Sequence, residues 1–526
     1  MMTSESSLPV FPSVPKRNAR ILIGGKILTE GFKTREVKST CSVNGELVLL
    51  GETANVDAAH LQSAVDEASV AWGKGLGDWP TAKMEVRVNA VLSFRDQMVA
   101  NREIVCRLLM WEIGKSWVDA QGEFDRTVQY ITDTVEEVKR LDRDSARFVF
   151  SGGILAQIRR APLGVTLCMG PFNYPLNETF TTLIPALIMG NTVVVKVARY
   201  GQLLWDPLFE AFRDCFPKGV VNIINGLGRE IVAPVIRSGK VDVLAFIGSS
   251  PVASKIKSEH PNPHRFRAIL SLDAKNPAIV LPDADIDNAV AECIKGALSF
   301  NGQRCTALKL IFVQKSIAKQ FTTKLAERVN ALPIGMPWEK GVQITPLPDL
   351  KKPEYLKTLV DDAVSKGATV LTPDAGLKGG TLYKPCVLTK VTLDSRLARE
   401  EQFGPVVPVV EYDDLSEVED YIVNSQFGAQ ISIFGQDPKV IGPLIDRLAN
   451  QVCRINLNSQ CQRGPDVFPF TGRKDSAEGT LSVFDALRAF SIRSMVAAKT
   501  DALGKDVIKA VLDSDTSHFL SNNILI

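Results

Sequence analysis

The sequence predicts an α/β protein that contains two doubly wound parallel sheets. Short apolar strands alternate with helix-length segments over residues 163–270, and the alternation returns over residues 271–486. A chain of 526 residues exceeds the usual size of one domain, so more than one hydrophobic core is expected. A hydrophobic content of 45% is ordinary for a globular protein.

The first unit follows a segment, residues 1–18, that contains Ser and Pro but few apolar residues and is predicted to be a flexible arm. The unit itself is predicted to comprise residues 19–144 and 163–270. Its elements are strands within 21–50 with a turn at Asn44-Gly45, a helix over 56–72 capped by Asn55, two helices within 82–114, a helix over 117–140, strands over 162–169, 192–197, 220–224 and 243–247, and a helix that follows Asn173 and ends at 187.

The second unit is predicted to cover residues 271–486. Its elements are strands over 278–281, 308–313, 368–371, 406–411 and 431–434, and helices over 286–300 and 316–332. Outside the two units, residues 147–160 predict a hairpin around Gly152-Gly153, and residues 487–495 predict a strand.

Composition argues against several kinds of site and partner. A net charge of +2 gives no case for a nucleic-acid surface. Nine cysteines without a C-x-x-C pair indicate reduced thiols, and four histidines without an H-E-x-x-H motif give no reason to expect a metal. No secretory signal or membrane-spanning run is visible, so we expect a cytoplasmic protein that contacts neither membrane nor nucleic acid.

Residues 299–308 have the features of a loop that carries a nucleophile. Gly302 allows a tight backbone path, and Arg304 beside Cys305 favours the reactive thiolate. A buried, inert thiol is nevertheless the commoner fate of a free cysteine. On this stretch alone both interpretations stay open.

Further motifs, in order and spacing, favour the nucleophile, because together they resemble the aldehyde dehydrogenase superfamily from residue 45 to residue 498. The matching motifs are Gly302-Gln303-Arg304-Cys305, Pro171-Phe172-Asn173-Tyr174-Pro175, Gly190-Asn191-Thr192-Val193-Val194-Val195-Lys196, Phe246-Ile247-Gly248-Ser249, Lys275-Asn276-Pro277 and Glu400-Glu401-Gln402-Phe403-Gly404-Pro405.

The resemblance implies a role for each predicted unit. Residues 19–144 and 163–270 become a dinucleotide-binding domain, and residues 271–486 become a catalytic domain. Residues 145–162 and 487–499 become oligomerisation strands that pair with another subunit, which implies a homodimer or homotetramer. Residues 500–526 form a tail beyond the family's usual end, and we assign it no function.

The cofactor site is predicted where strands end in small residues. Gly248 and Ser249 follow a strand and precede Pro251, which suits the first turn of a helix whose free N–H groups bind a pyrophosphate. A plain strand-to-helix turn would need the same residues. Gly228, in Gly226-Leu227-Gly228, is a weaker candidate, and the absence of G-x-G-x-x-G agrees with the family resemblance.

The resemblance assigns further cofactor contacts. Lys196 corresponds to a lysine that contacts the adenine ribose, and Glu401 and Phe403 to residues that hold the nicotinamide ribose and ring. Arg199 stands where NAD-preferring members often carry a glutamate. An arginine there pairs with a 2′-phosphate instead of repelling it, so we predict NADP in preference to NAD; the alternative is an exposed surface arginine.

The chemistry implied by the family needs a nucleophile, an oxyanion hole and a general base. Cys305 attacks the aldehyde, and the Asn173 side chain with the Cys305 backbone N–H stabilises the oxyanion. Hydrolysing members carry a glutamate 34 residues before the cysteine, where this chain has Ser271. Asp273 is the nearest carboxylate, so we hypothesise that it is the base; a structural aspartate is equally compatible with the sequence.

Arg126, Tyr174, Arg304 and Arg463 predict the substrate class. Guanidinium groups match phosphate geometry, and these positions resemble the phosphate-binding residues of the family's non-phosphorylating glyceraldehyde-3-phosphate dehydrogenases. The resemblance therefore implies a small phosphorylated aldehyde, glyceraldehyde 3-phosphate, oxidised with NADP to 3-phosphoglycerate. Taken one at a time, each arginine is equally compatible with a surface salt bridge.

Two other functions stay open. Acylating semialdehyde dehydrogenases, which pass the acyl group to coenzyme A, also lack the glutamate and share Ala274-Lys275-Asn276. A relative that no longer turns over and serves as a binding protein is the other alternative, although Cys305, Asn173 and Glu401 are all present.

Overall fold

The computed structural model describes residues 13–43 and 45–525. Asn44 of the predicted turn, and residues 1–12 of the predicted arm, lie outside this part. The end of the arm is anchored, because the backbone N–H of Arg17 donates to Leu50 O at 3.0 Å and its guanidinium pairs with Asp206.

The described chain begins with four strands and five helices, and strands and helices alternate over much of the remainder. Up to residue 271 they are β1 Ile21–Ile23, β2 Lys26–Leu28, β3 Lys33–Val43, β4 Glu46–Asn55, α1 Ala58–Trp72, α2 Asp78–Thr81, α3 Met84–Ala100, α4 Arg102–Ile113, α5 Trp117–Ser145, β5 Phe148–Ser151, β6 Ile154–Pro162, β7 Val165–Met169, α6 Asn177–Ile188, β8 Thr192–Lys196, α7 Phe209–Cys215, β9 Val221–Ile224, α8 Gly228–Arg237, β10 Val243–Ile247, α9 Ser250–Ser258 and β11 Arg267–Ser271.

The remaining elements begin after residue 275. They are β12 Asn276–Val280, α10 Ile286–Leu298, β13 Leu308–Gln314, α11 Lys315–Asn330, α12 Lys352–Ser365, β14 Thr369–Val370, β15 Gly376–Gly379, β16 Leu382–Lys384, β17 Cys386–Thr389, α13 Arg396–Arg399, β18 Val406–Tyr412, α14 Leu415–Asn424, β19 Phe427–Gly428, β20 Gln430–Phe434, α15 Pro438–Leu448, β21 Arg454–Leu457, β22 Arg473–Lys474, β23 Ala477–Glu478, α16 Val483–Ala489, β24 Ser491–Lys499 and α17 Ala502–Ser514.

Two large sheets confirm the predicted α/β fold class. Within the described residues the first has the order β2-β1-β9-β8-β7-β10-β11-β23, and its strands from β9 to β11 are parallel. The second has the order β14-β17-β18-β13-β12-β20-β21, and it is parallel except at β14. The limits of the predicted domains stay a prediction.

Alternating side chains of the central strands pack on opposite faces of a sheet, as strand geometry requires. In β8, Val193 and Val195 belong to one buried cluster and Val194 to another. Helices therefore cover both faces of the sheet, which leaves its strand ends as the open edge where a site can form.

The segments predicted as oligomerisation strands form a separate antiparallel sheet, β24-β6-β5. The tail packs on it, since Ser521 O accepts hydrogen bonds from Arg159 Nη2 at 2.7 Å and Gln157 Nε2 at 2.9 Å.

Several boundary predictions were wrong. Asn55 ends β4, and Asp57 is the residue that caps α1 by accepting from the N–H of His60. The predicted strand over 487–495 begins as the last turn of α16, so β24 starts only at Ser491. The helix predicted over 117–140 continues to Ser145.

Candidate active site

A cavity of about 1080 Å³ opens where loops from both large sheets meet. The first sheet contributes residues that follow β7, β8, β10 and β11, at the strand ends where α/β proteins bind ligands. Of the predicted site residues, all except Gly228 line it. Those lining it are Arg126, Asn173, Tyr174, Lys196, Arg199, Gly248, Ser249, Asp273, Arg304, Cys305, Glu401, Phe403 and Arg463.

The loop before Cys305 has an unusual backbone. Helix α10 ends at Leu298, two residues before its predicted end, because Phe300 and Asn301 adopt left-handed φ values of 48° and 58°. Gly302 has φ 72°, and a Cβ there would lie 2.6 Å from Ala297 O. The tight path predicted from Gly302 is therefore present, and other residues would be strained in it.

Two side chains hold the backbone of Cys305. Its carbonyl oxygen accepts hydrogen bonds from Asn276 Nδ2 at 2.7 Å and from Lys309 Nζ at 2.9 Å. The Asn276 Oδ1 atom accepts from the N–H of Gln430 at 3.0 Å. Strands β12 and β20 thus fix the residue that carries the thiol.

The charge environment of the thiol differs from the sequence prediction in one respect. Burial raises the pKa of Cys305, the cation of Lys309 opposes this rise, and the carboxylate of Glu401 adds to it. Arg304 also lowers the pKa, but less than Lys309 does. The reason is that Arg304 Nη2 donates to Gly296 O at 2.9 Å. Lys309, which sequence reasoning missed, is the larger support for the thiolate.

Asn173 lies on a loop clamped by a buried ion pair. Its Nδ2 donates to Gln303 O at 2.7 Å, which places the amide against the Cys305 loop. Lys115 Nζ donates to Asn173 O at 2.9 Å, and Lys115 forms an ion pair with Glu123. Glu123 Oε1 in turn accepts from the N–H of Leu176 at 3.0 Å. Sequence reasoning missed Lys115 and Glu123, because nothing local links residues 115 and 173.

Ser271 is the residue that stands where the family resemblance leads us to expect a glutamate. Ser271 ends β11, is buried and lines the cavity. Asp273 lines it too, but its Oδ2 accepts from the N–H of Ser250 at 2.8 Å and from Ser250 Oγ at 3.0 Å. This carboxylate therefore holds the start of α9, and a role as base has to be compatible with that contact.

A second carboxylate lies close to the thiol. Glu401 forms an ion pair with Lys309 at 2.7 Å and accepts from the N–H of Ala274 at 3.4 Å. Burial raises the pKa of Glu401, and Lys309 opposes the rise. Since Lys309 also contacts the carbonyl of Cys305, this lysine joins the carboxylate to the nucleophile loop.

The substrate candidates Arg126 and Arg463 share one carboxylate. Arg126 makes a two-pronged ion pair with Asp466, with both contacts at 2.7 Å, and Arg463 Nε donates to Asp466 Oδ1 at 3.2 Å. Arg463 also pairs with Glu178, while its Nη2 is buried without a partner. Burial lowers the pKa of Arg463 to about 10. Sequence reasoning missed Glu178, which comes from the distant helix α6.

Arg304 and Tyr174 complete the polar wall. Among the described residues Arg304 forms no ion pair, and its Nε is buried without a hydrogen-bond partner. The Tyr174 ring packs against the ring of Phe300, and Lys115 Nζ lies 3.5 Å from the centre of the Tyr174 ring. Arg304 thus carries a positive charge that no protein carboxylate neutralises.

The predicted cofactor glycines lie at helix starts. Helix α9 begins at Ser250 directly after Gly248 and Ser249, with Pro251 in its first turn, as the sequence indicated. A Cβ on Gly248 would lie 2.4 Å from the Phe246 ring, so a side chain would crowd this turn. Gly228 begins α8, and a Cβ there would lie 3.6 Å from Lys196 Nζ.

The other cofactor candidates lie along the same side of the cavity. Lys196 ends β8, and burial lowers its pKa to about 8. Phe403 contacts the ring of Phe172 at a centroid distance of 5.8 Å. Lys352, which sequence reasoning missed, lines the cavity beside Glu401, and burial lowers its pKa to about 8 as well.

Two features are absent from residues 13–43 and 45–525. No helix there is long and apolar enough to cross a membrane. No group of three or more His, Cys, Asp or Glu side chains there is arranged to hold a metal ion.

Comparisons with known proteins identify the family and the fold. The pattern of the Aldehyde dehydrogenase family matches residues 30–496. The chain belongs to the aldehyde dehydrogenase family. An NADP-dependent glyceraldehyde-3-phosphate dehydrogenase from Streptococcus equinus is 34% identical over 461 residues, 86% of this chain and 93% of the relative. A 3-sulfolactaldehyde dehydrogenase from Priestia aryabhattai is 28% identical over 450 residues, 83% of this chain and 93% of the relative.

A solved structure has the same fold. The NADP-dependent glyceraldehyde-3-phosphate dehydrogenase from Bacillus halodurans, in complex with NADP, superposes with a TM-score of 0.85 at 32% identity, covering 92% of this chain and 100% of that one. The protein is therefore an aldehyde dehydrogenase family enzyme with that family's α/β fold.

If Lys309 supports the thiolate, changing it to methionine should slow alkylation of Cys305 by iodoacetamide at neutral pH by about threefold or more, and move the rise in rate to higher pH. Peptide mass mapping at Cys305 measures the rate. Lys315→Met is the matched control, because Lys315 is exposed and paired with Asp413. An unchanged pH profile in Lys309→Met would show that the lysine serves the loop backbone only.

Proposed function

We propose that this enzyme oxidises a small phosphorylated aldehyde, glyceraldehyde 3-phosphate in the first place, to its carboxylate with NADP. The observation that carries the proposal is the convergence of Arg126, Tyr174, Arg304 and Arg463 on the cavity of Cys305. Guanidinium forks suit a tetrahedral oxyanion, and apolar aldehydes would gain nothing from them. The names of the Streptococcus and Bacillus relatives support the same substrate and cofactor.

The charges of the wall refine the proposal. The positive charges of Arg126 and Arg463 are compensated by ion pairs with Asp466 and Glu178. Arg304 is therefore the arginine of this wall whose charge is not compensated by an ion pair among the described residues. A phosphate of the substrate would bind Arg304 and the unpartnered Nη2 of Arg463. A sulfonate has a similar tetrahedral shape, and the name of the Priestia relative makes sulfolactaldehyde the first competing substrate to test.

The residues of this chain have the following roles in the proposal. The Cys305 thiolate attacks the aldehyde carbon, and Asn173 Nδ2 with the Cys305 backbone N–H stabilises the oxyanion of the thiohemiacetal. NADP supplies a hydride acceptor when bound. Collapse of the thiohemiacetal leaves a thioester on Cys305. Water, deprotonated by Asp273, then adds to the thioester and releases 3-phosphoglycerate without incorporation of inorganic phosphate.

The proposed use of NADP is supported by the residues that line the cavity. Lys196 and Arg199 would hold the adenine ribose and its 2′-phosphate, and the start of α9 at Gly248 and Ser249 would hold the pyrophosphate. Glu401 and Phe403 would hold the nicotinamide ribose and ring. Gly228, outside the cavity lining, would contribute only through its closeness to Lys196.

One observation favours a second function, acyl transfer to coenzyme A. Ser271 has no carboxylate, and Asp273 already accepts two hydrogen bonds from Ser250. A thiol needs less help than water to attack a thioester, because its thiolate is intrinsically nucleophilic. Coenzyme A is therefore the alternative acceptor for the same acyl group.

Assembly into a homodimer or homotetramer in the cytoplasm completes the proposal. The sheet β24-β6-β5 exposes large apolar side chains that water alone would face in a monomer, among them Val149, Phe150 and Met495. The nine cysteines are all free, in agreement with a reducing compartment.

Arg304→Leu tests the substrate. It should raise the KM for glyceraldehyde 3-phosphate by about tenfold or more, since a hydrogen bond to a charged group is worth about 1.5–3 kcal/mol. The initial rate of NADPH formation at varied substrate concentration gives this KM. Unphosphorylated glyceraldehyde is the matched control substrate, and its KM should stay the same. Equal rises for both substrates would show that Arg304 supports the loop and does not bind phosphate.

Asp273→Asn tests the acyl acceptor. If Asp273 activates water, the variant should keep a stoichiometric burst of NADPH while the steady state falls by about 10²–10⁴-fold. Rapid mixing with absorbance detection separates the two phases. A steady state that is unchanged by Asp273→Asn and accelerated by coenzyme A would instead establish acyl transfer to the thiol.

A further inference from the structure

A third cation approaches the proposed cofactor site from a part of the chain that no motif covers. Arg35 lies on β3, in the N-terminal hairpin formed by β3 and β4. Its Nη2 donates to Gln202 Oε1 at 3.4 Å, and Gln202 Nε2 donates to Arg199 O at 2.9 Å. Gln202 thus links the hairpin to the backbone of Arg199, the residue predicted to bind the 2′-phosphate.

The three cations are close enough to repel one another. Burial and then the charge of Arg199 lower the pKa of Arg35. Burial and then the charge of Arg35 lower the pKa of Lys196. Lys196 and Arg199 line the cavity, and Arg35, which is not itself a lining residue, is linked to Arg199 through Gln202.

The nearby carboxylates do not neutralise this cluster by ion pairs. Glu112 is buried, and its two oxygens accept the N–H groups of Gln202 and Leu203, both at 2.9 Å. Burial raises the pKa of Glu112 to about 7, and the charge of Arg35 opposes the rise without a direct ion pair. Asp349 interacts with the Tyr200 hydroxyl. Within the described residues, none of Arg35, Lys196 and Arg199 has a salt-bridge partner.

The guanidinium of Arg35 has an unused donor. Its Nε is buried and has no hydrogen-bond partner among the residues that the structure describes. A buried donor without a partner costs about 1–3 kcal/mol, and mutual repulsion of three cations adds to that cost. A dianionic group between them would relieve both, since it accepts hydrogen bonds and carries the opposite charge.

We propose that Arg35 is a specificity-determining residue, which binds the 2′-phosphate of NADP together with Arg199 and Lys196. The inference rests on the proposed use of NADP, and it adds a contact from the N-terminal hairpin to the strand-end residues. The hairpin thereby closes one side of the cofactor site, and the enzyme discriminates against NAD with more than the single residue after β8.

Binding of two cofactor fragments tests the inference without any turnover. Titration calorimetry of the full chain with 2′,5′-ADP and with 5′-AMP isolates the contribution of the 2′-phosphate. Arg35→Gln should weaken the binding of 2′,5′-ADP by about tenfold or more and leave the affinity for 5′-AMP unchanged. Arg35→Lys should recover part of the loss. Lys33→Gln, which removes an exposed charge from the same strand, is the matched control and should change neither affinity.

The outcomes separate this inference from the cofactor proposal. If the unchanged protein binds both fragments with equal affinity, the proposed preference for NADP is wrong. The inference about Arg35, which rests on that preference, is then wrong as well. If the unchanged protein binds 2′,5′-ADP more tightly than 5′-AMP and Arg35→Gln keeps that preference, the proposed contact of Arg35 is wrong while the NADP proposal stands. Hydrogen exchange of the unchanged protein gives a test that needs no variant: 2′,5′-ADP should protect the β3–β4 hairpin and 5′-AMP should not. Equal protection by both would contradict the contact.

Discussion

The hydrogen bonds to the carbonyl oxygen of Cys305 are the constraint on which the rest of the site depends. Asn276 and Lys309 both donate to this oxygen, and Asn276 is itself bound to the backbone of Gln430. Three neighbouring strands of the second sheet, β12, β13 and β20, therefore fix one reactive residue. Positions on rigid strands are held more narrowly than positions on free loops, which is what covalent catalysis requires.

Two buried lysines of the site are each paired with a carboxylate. Lys115 with Glu123, and Lys309 with Glu401, are compensated where they are buried. Such pairing is necessary because an isolated buried charge is strongly destabilising. Within the described residues, Arg304 on the substrate side and Arg35, Lys196 and Arg199 on the cofactor side form no ion pair. In the proposed function, the phosphates of substrate and cofactor would be the anions that bind these two groups of cations.

The sequence predicted the α/β class and most strands of both sheets, because strand periodicity is a local signal. The predicted site residues that line the cavity came mainly from the family resemblance. It did not predict the partners of those residues. Glu178 pairs with Arg463 across 285 positions, and Arg35 meets Gln202 across 167. Such contacts depend on how helices and hairpins pack. The cap of α1 was misplaced for a smaller reason: Asn55 and Asp57 both suit an N-cap, and β4 extends to Asn55.

The central claim is that Cys305 carries the acyl group of a phosphorylated aldehyde. Acid quenching of the enzyme within the first turnover, with NADP and glyceraldehyde 3-phosphate, followed by peptide mass spectrometry, tests it directly. The account predicts a 3-phosphoglyceroyl thioester on the peptide that contains Cys305, in an amount equal to the NADPH formed. NADPH without an acyl group on Cys305, or an acyl group on another residue, would contradict it.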